Sequence, residues 1–159
     1  MKTQLLKFTV FLLILSGIAA SCNPEPPIPE PPIIKYPIEV SFTEYSLSET
    51  SCQWINLTYN EKLIIINSNE ELEKYIACTD GDYPAVDFNK NSLLIASGIA
   101  PSPVSRKNCR SLQQFSEQNY IMEVGLSLGI AGVASNWQIS IIIDKLNGVS
   151  AIELIVKEV

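Results

Sequence analysis

The sequence predicts an α+β fold weighted towards β: mostly antiparallel strands, two-layer or sandwich-like, with one short α-helix near residues 69–77. Three observations predict it. Apolar and polar residues alternate with period two in several segments between residues 38 and 156, as half-buried strands require. Gly, Asn, Asp and Pro gather at the joints between those segments. One segment alone carries both the capping chemistry and the i, i+3, i+4 apolar spacing of a helix.

Taken in order, residues 38–42 alternate Ile, Val and Phe with Glu and Ser. Residues 54–59 and 63–66 flank Asn60-Glu61 and read as a hairpin. Ser68-Asn69-Glu70-Glu71 has the S-x-x-E form of a capping box, and Leu72, Tyr75 and Ile76 share one helical face behind it. Glu70, Glu71 and Glu73 fall in the first turn, where the helix dipole favours acids, so capping and solvation account for them without catalysis. Asp80-Gly81-Asp82-Tyr83-Pro84 is dense turn chemistry. The spacing of Asp80 and Asp82 is that of a calcium loop, but the rest of the calcium pattern is missing and a turn is the reading. Residues 92–100 form an apolar run that fits a central strand. Residues 119–128 and 135–143 read as two strands around a Gly-Ala turn, and residues 149–156 as a last strand joined to them through Asn147-Gly148.

Two local patterns invite other readings. The twenty residues between Glu123 and Asp144 are uncharged, the length of a bilayer span. Five polar side chains, three glycines and the alternation at Trp137-Gln138-Ile139-Ser140-Ile141 assign them to strands instead. Gly125-Leu126-Ser127-Leu128-Gly129 matches the G-x-S-x-G nucleophile elbow. That elbow needs a following helix and a downstream histidine, and the chain has no histidine at all. The same absence excludes Ser-His-Asp and Cys-His catalysis within one subunit and the common zinc sites, so no catalytic residue, metal or cofactor is expected.

The N-terminal residues supply an address. Lys2 and Lys7, an apolar stretch over residues 8–15 and small residues over 16–21 have the order of a secretory signal peptide. Ala19-Ala20-Ser21-Cys22 resembles a bacterial lipobox, in which the cysteine is acylated; Ala19 departs from the usual Leu. Residues 1–21 are thus expected to be removed and Cys22 to carry lipid, several acyl chains on one residue anchoring far more firmly than one. Seven of the ten prolines lie in residues 22–37, which makes that stretch an extended tether. At ~3.1 Å per residue it would hold a domain roughly 40 Å from a lipid surface. Residues 38–159 then form one β-rich domain with its own core.

Loss of Lys2 and Lys7 leaves nine Lys and Arg against 17 Asp and Glu, a net charge of −8. Such a surface disfavours nucleic acid and anionic membranes as partners, leaving the lipid anchor as the membrane contact. Export leaves Cys52, Cys78 and Cys109 in an oxidising compartment, enough for one disulfide and one thiol. The 52–78 pair closes the shorter loop and is preferred, with Cys109 the alternative partner of Cys78. Arg106, Lys107 and Arg110 around Cys109 would lower its pKa if it were a reactive thiol, whereas a structural cysteine is the default. Trp54 and Trp137 sit in alternating strands and are expected in the core. An exposed indole at either position would instead make a platform for glycan.

Ile64-Ile65-Ile66-Asn67-Ser68-Asn69-Glu70-Glu71-Leu72, followed by Pro84-Ala85-Val86-Asp87-Phe88-Asn89-Lys90-Asn91-Ser92-Leu93-Leu94-Ile95, resembles a known family. It is the PrcB-like C-terminal domain, named after a subunit of a spirochaete protease complex and found in small envelope lipoproteins of Bacteroides-type bacteria. The resemblance spans residues 62–145 and departs at Pro101-Ser102-Pro103, where the family has a Gly-rich segment. It implies a supporting or protein-binding role and brings no catalytic residues. The expected function is therefore a lipid-anchored envelope protein, at the outer membrane, whose non-catalytic domain binds another protein. A surface glycan-binding module is the alternative. Its face, periplasmic or surface, stays open between the two.

Overall fold

An apolar run such as residues 92–100 is stable as a strand only where both of its faces and both of its edges are covered. The computed structural model shows how that is achieved. It describes residues 34–159 apart from Glu61, Asn147 and Val149, so the signal segment 1–21, Cys22 and most of the tether lie outside the described residues.

The elements in chain order are β1 (Ile38–Glu39), β2 (Thr43–Glu44), β3 (Cys52–Trp54), β4 (Lys62–Ile66), α1 (Asn69–Leu72), β5 (Ile76–Cys78), β6 (Asn91–Ala100), β7 (Val104–Ser116), β8 (Asn119–Leu128), β9 (Ser135–Asp144) and β10 (Ala151–Glu158). The fold is mostly antiparallel β with one short helix. One four-stranded sheet runs β1-β7-β8-β10, a second runs β2-β9-β6-β4, and β3-β5 is a separate ribbon. Every pairing is antiparallel except β8–β10, which is parallel in an unbroken register from Ala151↔Asn119 to Glu158↔Leu126.

The two sheets face each other across a core drawn from both. Leu94, Ala96 and Ala100 of β6 and Trp137, Ile139, Ile141 and Ile143 of β9 meet Leu112 of β7 and Met122, Val124 and Leu126 of β8. The other face of the second sheet is also buried. Leu93 and Ile95 pack there with Ile66, Leu72, Ile76, Cys52 and Tyr45. A strand buried on both faces loses its alternation, which is why residues 92–98 read as a continuous run. Its hydroxyls are satisfied: Ser92 Oγ donates to Asn67 Oδ1 and accepts from Leu146 N, and Ser97 Oγ donates to Thr58 O. Lys145 clasps this layer, donating to the carbonyls of Asn67 and Phe88 at 3.0 and 2.9 Å.

Several expected elements are placed differently. The helix spans four residues rather than the stretch near 69–77. Its start follows the capping chemistry, with Ser68 Oγ accepting from Glu71 N, while Glu71 Oε2 accepts from Asn67 N rather than from the N-cap. Its end is set by the ribbon: Ile76, Ala77 and Cys78 pair with Trp54, Gln53 and Cys52, and a ladder closed by a disulfide outcompetes the weak propagation of so short a helix. The hairpin around Asn60-Glu61 does not form. Asn56 turns the chain at φ 56, with its side-chain amide on Lys74 O, and β4 pairs with β6 instead. The Asn-Gly joint yields no β9–β10 hairpin, since β9 pairs with β6 and β10 with β8. Likewise β8 and β9 are strands but belong to different sheets, so the Gly-Ala segment between them is a passage from one sheet to the other.

Candidate functional site

A cleft of about 510 Å³ lies where the ribbon overhangs the margin of the second sheet. Its wall is the β2–β3 connection with Trp54 and Tyr59, and its floor is Gln138, Ile139 and Ser140 of β9. The wall is fixed from behind. Tyr45 is buried, its hydroxyl donates to Pro84 O at 2.8 Å, and its main chain exchanges bonds with Ser140, N to O at 2.9 Å and O from Oγ at 2.7 Å. The Tyr45 ring supports Trp54 at a centroid distance of 5.9 Å and an interplanar angle of 59°, a tilted arrangement that aromatic pairs favour. Burial pushes the Tyr45 hydroxyl up to about 12, so it serves as a neutral donor.

Lys107 enters the cleft from the other sheet. It stands opposite Leu126 in the β7–β8 ladder and donates from Nζ to Gln138 Oε1 at 3.2 Å. Desolvation lowers its pKa, and the carboxylate of Glu44 works in the opposite direction. One of its three donors is thus engaged by Gln138. Gln53 is exposed at the rim, and Ser46 Oγ donates to Ser48 Oγ at 2.9 Å beside it. The lining is therefore aromatic on one side and rich in amides and hydroxyls elsewhere, with Glu44 its single carboxylate. Two carboxylates facing each other across a gap, the arrangement for acid–base cleavage of a glycoside, are not part of it.

The residues singled out from sequence are distributed as follows. Cys52 and Cys78 face each other in the β3–β5 register and are joined as a disulfide, which braces the strand that carries Trp54. Cys109 is a free thiol, but the charges of its sequence neighbours do not set its pKa. It shares a side of the sheet with Val124, packs against the core, and burial pushes its pKa up to about 11. A thiol held protonated in this way is a poor nucleophile. Trp54 is half-buried and lines the cleft. Trp137 is 1% exposed with its indole against Gly98, so the glycan-platform reading fails at this position because the ring has no free face. Gly125 and Ser127 lie within β8, with no helix following, so the G-x-S-x-G pattern builds no elbow. Asp80 is tied into a turn with Ser51, and among the described residues no cluster of three His, Cys, Asp or Glu side chains converges for a metal.

Tyr59, Lys107, Gln138 and Gln53 were not legible as site residues. Each is unremarkable in its own segment and acquires a role only through the meeting of ribbon and sheets. No family model, curated protein or solved structure matches this chain.

Proposed function

We propose that this protein is a non-catalytic binding module held at the cell envelope by lipid on Cys22, and that the Trp54 cleft is where it takes a protein partner. The observation that supports this reading is the composition of the cleft. A half-buried aromatic wall ringed by amides and hydroxyls, with Lys107 and Glu44 as the two charged side chains of the lining, has the anatomy of an interface hot spot, an apolar centre inside a polar rim. A partner would seat an apolar side chain against Trp54 and Tyr59 while Gln53, Gln138 and the remaining Lys107 donors meet its main-chain carbonyls. The disulfide holds the wall in place before binding, which limits the entropy lost on association.

The same lining favours a second reading. Aromatic faces beside amides also suit a neutral saccharide, whose apolar ring face stacks while its hydroxyls are bonded. One experiment separates the two. A photoreactive benzophenone amino acid is placed at Gln53, beside the cleft, and at Asn89 as a distant exposed control, in full-length protein in its own membrane. The expected result is one cross-linked envelope protein from position 53 that is lost in Trp54→Ala. Equal cross-linking from both positions removes the protein reading. A glycan-array signal on the detergent-purified protein, abolished by both Trp54→Ala and Gln53→Ala with the melting temperature retained, establishes the saccharide instead.

A further inference from the structure

The free edge of β10 is the longest regular strand edge left without a partner among the described residues. β1 and β2 are edges of two residues and β4 of five, β9 is uncovered by β2 only over its first residues, and the uncovered part of β7 is broken by register shifts at Val104/Arg106 and Cys109/Ser111, whereas β10 runs for eight residues in a register without a bulge. It contains no proline. Edges of this kind are templates for strand addition unless something blunts them. Ala151 N donates to Gln118 O and Val159 N to Leu126 O, so the odd-numbered residues turn their main chains towards β8. The N–H and C=O groups of Ile152, Leu154, Val156 and Glu158 therefore point outward.

We infer that this edge pairs with a second copy of itself, antiparallel about a two-fold axis at Ile155, and joins two four-stranded sheets into one of eight. The charge pattern selects both the occupant and the register. Among registers that bring outward-pointing residues together, the one centred on Ile155 sets Glu153 of each copy opposite Lys157 of the other. Centring on Glu153 or on Lys157 opposes like charges, and centring on Leu154 or Val156 pairs neither residue with an opposite charge. In the Ile155-centred register, Ile152 meets Glu158 and Leu154 meets Val156 in hydrogen-bonded pairs, for about eight new main-chain bonds. The Glu153–Lys157 contacts fall at non-hydrogen-bonded positions, where side chains come closest. Lys157 already pairs with Glu123, which Arg110 also contacts at 3.5 Å. Self-pairing continues this row as Arg110, Glu123, Lys157 and then Glu153 of the second copy, signs alternating throughout. Such a contact is isologous and closes at the dimer.

The test uses full-length protein in detergent. Ile155→Cys in a Cys109→Ser background should cross-link to dimer under mild oxidation, because opposed residues of a non-hydrogen-bonded pair lie about 4.5 Å apart at Cα, within disulfide reach. Glu153→Cys alone should not, being offset from its own copy by several residues. Charge reversal supplies an independent readout by sedimentation. Glu153→Lys and Lys157→Glu should each weaken self-association by roughly tenfold or more, and an equimolar mixture of the two variants should restore dimer by pairing unlike chains. A wild-type protein that sediments as monomer throughout the micromolar range overturns the inference. So does cross-linking at Ile155 no faster than at a cysteine placed at Asn89, or a mixture that stays as weak as its components.

Discussion

Gly98 and Trp137 face each other in the β6–β9 ladder, and the indole occupies the space that a side chain at position 98 would need. A Cβ built on Gly98 lies 2.7 Å from Trp137 Cζ2, 2.8 Å from Cε2 and 2.9 Å from Nε1. Gly98→Ala therefore forces the ring to retreat by roughly 0.8 Å to reach ordinary van der Waals separation. The ring cannot do so freely, because Trp137 is 1% exposed and enclosed by Ala96, Ala100, Ile139 and Leu126 in the same core. Overpacking of this kind costs about 1–3 kcal/mol, and the upper half of that range is expected here because three atoms of a rigid ring are affected at once. Urea denaturation followed by tryptophan fluorescence gives the number directly. A double-mutant cycle with Trp137→Phe isolates its cause: the smaller ring withdraws the clashing atoms, so the alanine should cost at least about 1 kcal/mol less in that background. A loss below about 0.5 kcal/mol for Gly98→Ala, or strict additivity with Trp137→Phe, would refute the reasoning.

Two further outcomes concern chemistry rather than packing. Replacing both Cys52 and Cys78 by serine releases a closure over a sequence separation of 26 residues and should cost about 3.5 kcal/mol on the chain-entropy account. Its urea midpoint should fall to that extent while reducing agent leaves the double variant unaffected; a loss under about 1 kcal/mol contradicts a bracing role. At alkaline pH the protein should weaken progressively. Cys109 is held protonated up to about 11 against an ordinary 9.0, and Tyr45 up to about 12 against 10.0. Between those values the unfolded chain has released protons that the native state still binds, so stability falls as pH rises through the interval. Each group contributes on the order of 2 kcal/mol or less, Cys109 being partly exposed. Thermal melts from pH 8 upward should show the decline, and Cys109→Ala should make its onset shallower; a slope unchanged by that substitution removes Cys109 from the account.

The β-rich class was legible because burial on one face writes period two into the sequence, and this held for β8, β9 and β10. The capping box located the start of α1 but not its end, because the end depends on Cys52, 26 positions from Cys78 in sequence. Pairing was the least legible level. A hairpin is a local prediction, whereas β4 pairs with β6 across the helix and ribbon, and β10 with β8 across a strand of the other sheet. The long strand β7 escaped altogether. Its residues V-S-R-K-N-C-R-S-L-Q-Q-F-S carry few apolar side chains, and three register shifts fall along it, at Val104/Arg106, Cys109/Ser111 and Gln114/Ser116. Each shift inserts a residue that breaks the alternation, so Cys109 and Leu112 both reach the core although three positions separate them.

The shifts that hid β7 also explain the cleft. After the first of them, Lys107 stands on the same side of the sheet as Leu126, but at the sheet's margin, where it stays exposed. It reaches Gln138 on β9, in the opposite sheet. Along this margin β1 pairs with β7 only at Gln113 and Gln114, with one further bond to Leu112, and β2 pairs with β9 only at Ile141 and Ile142, with one further bond from Tyr45 to Ser140. Both edges are therefore open beside Lys107, and a lysine at such a margin is a recognised way to stop open edges from pairing with foreign strands. The cleft lies where a sandwich margin with two open edges, bridged by Lys107 and Gln138, is roofed by a disulfide-braced ribbon. On the function proposed above, recognition at this site would run through side chains, and strand addition is left to the edge of β10, whose charges select a second copy of themselves.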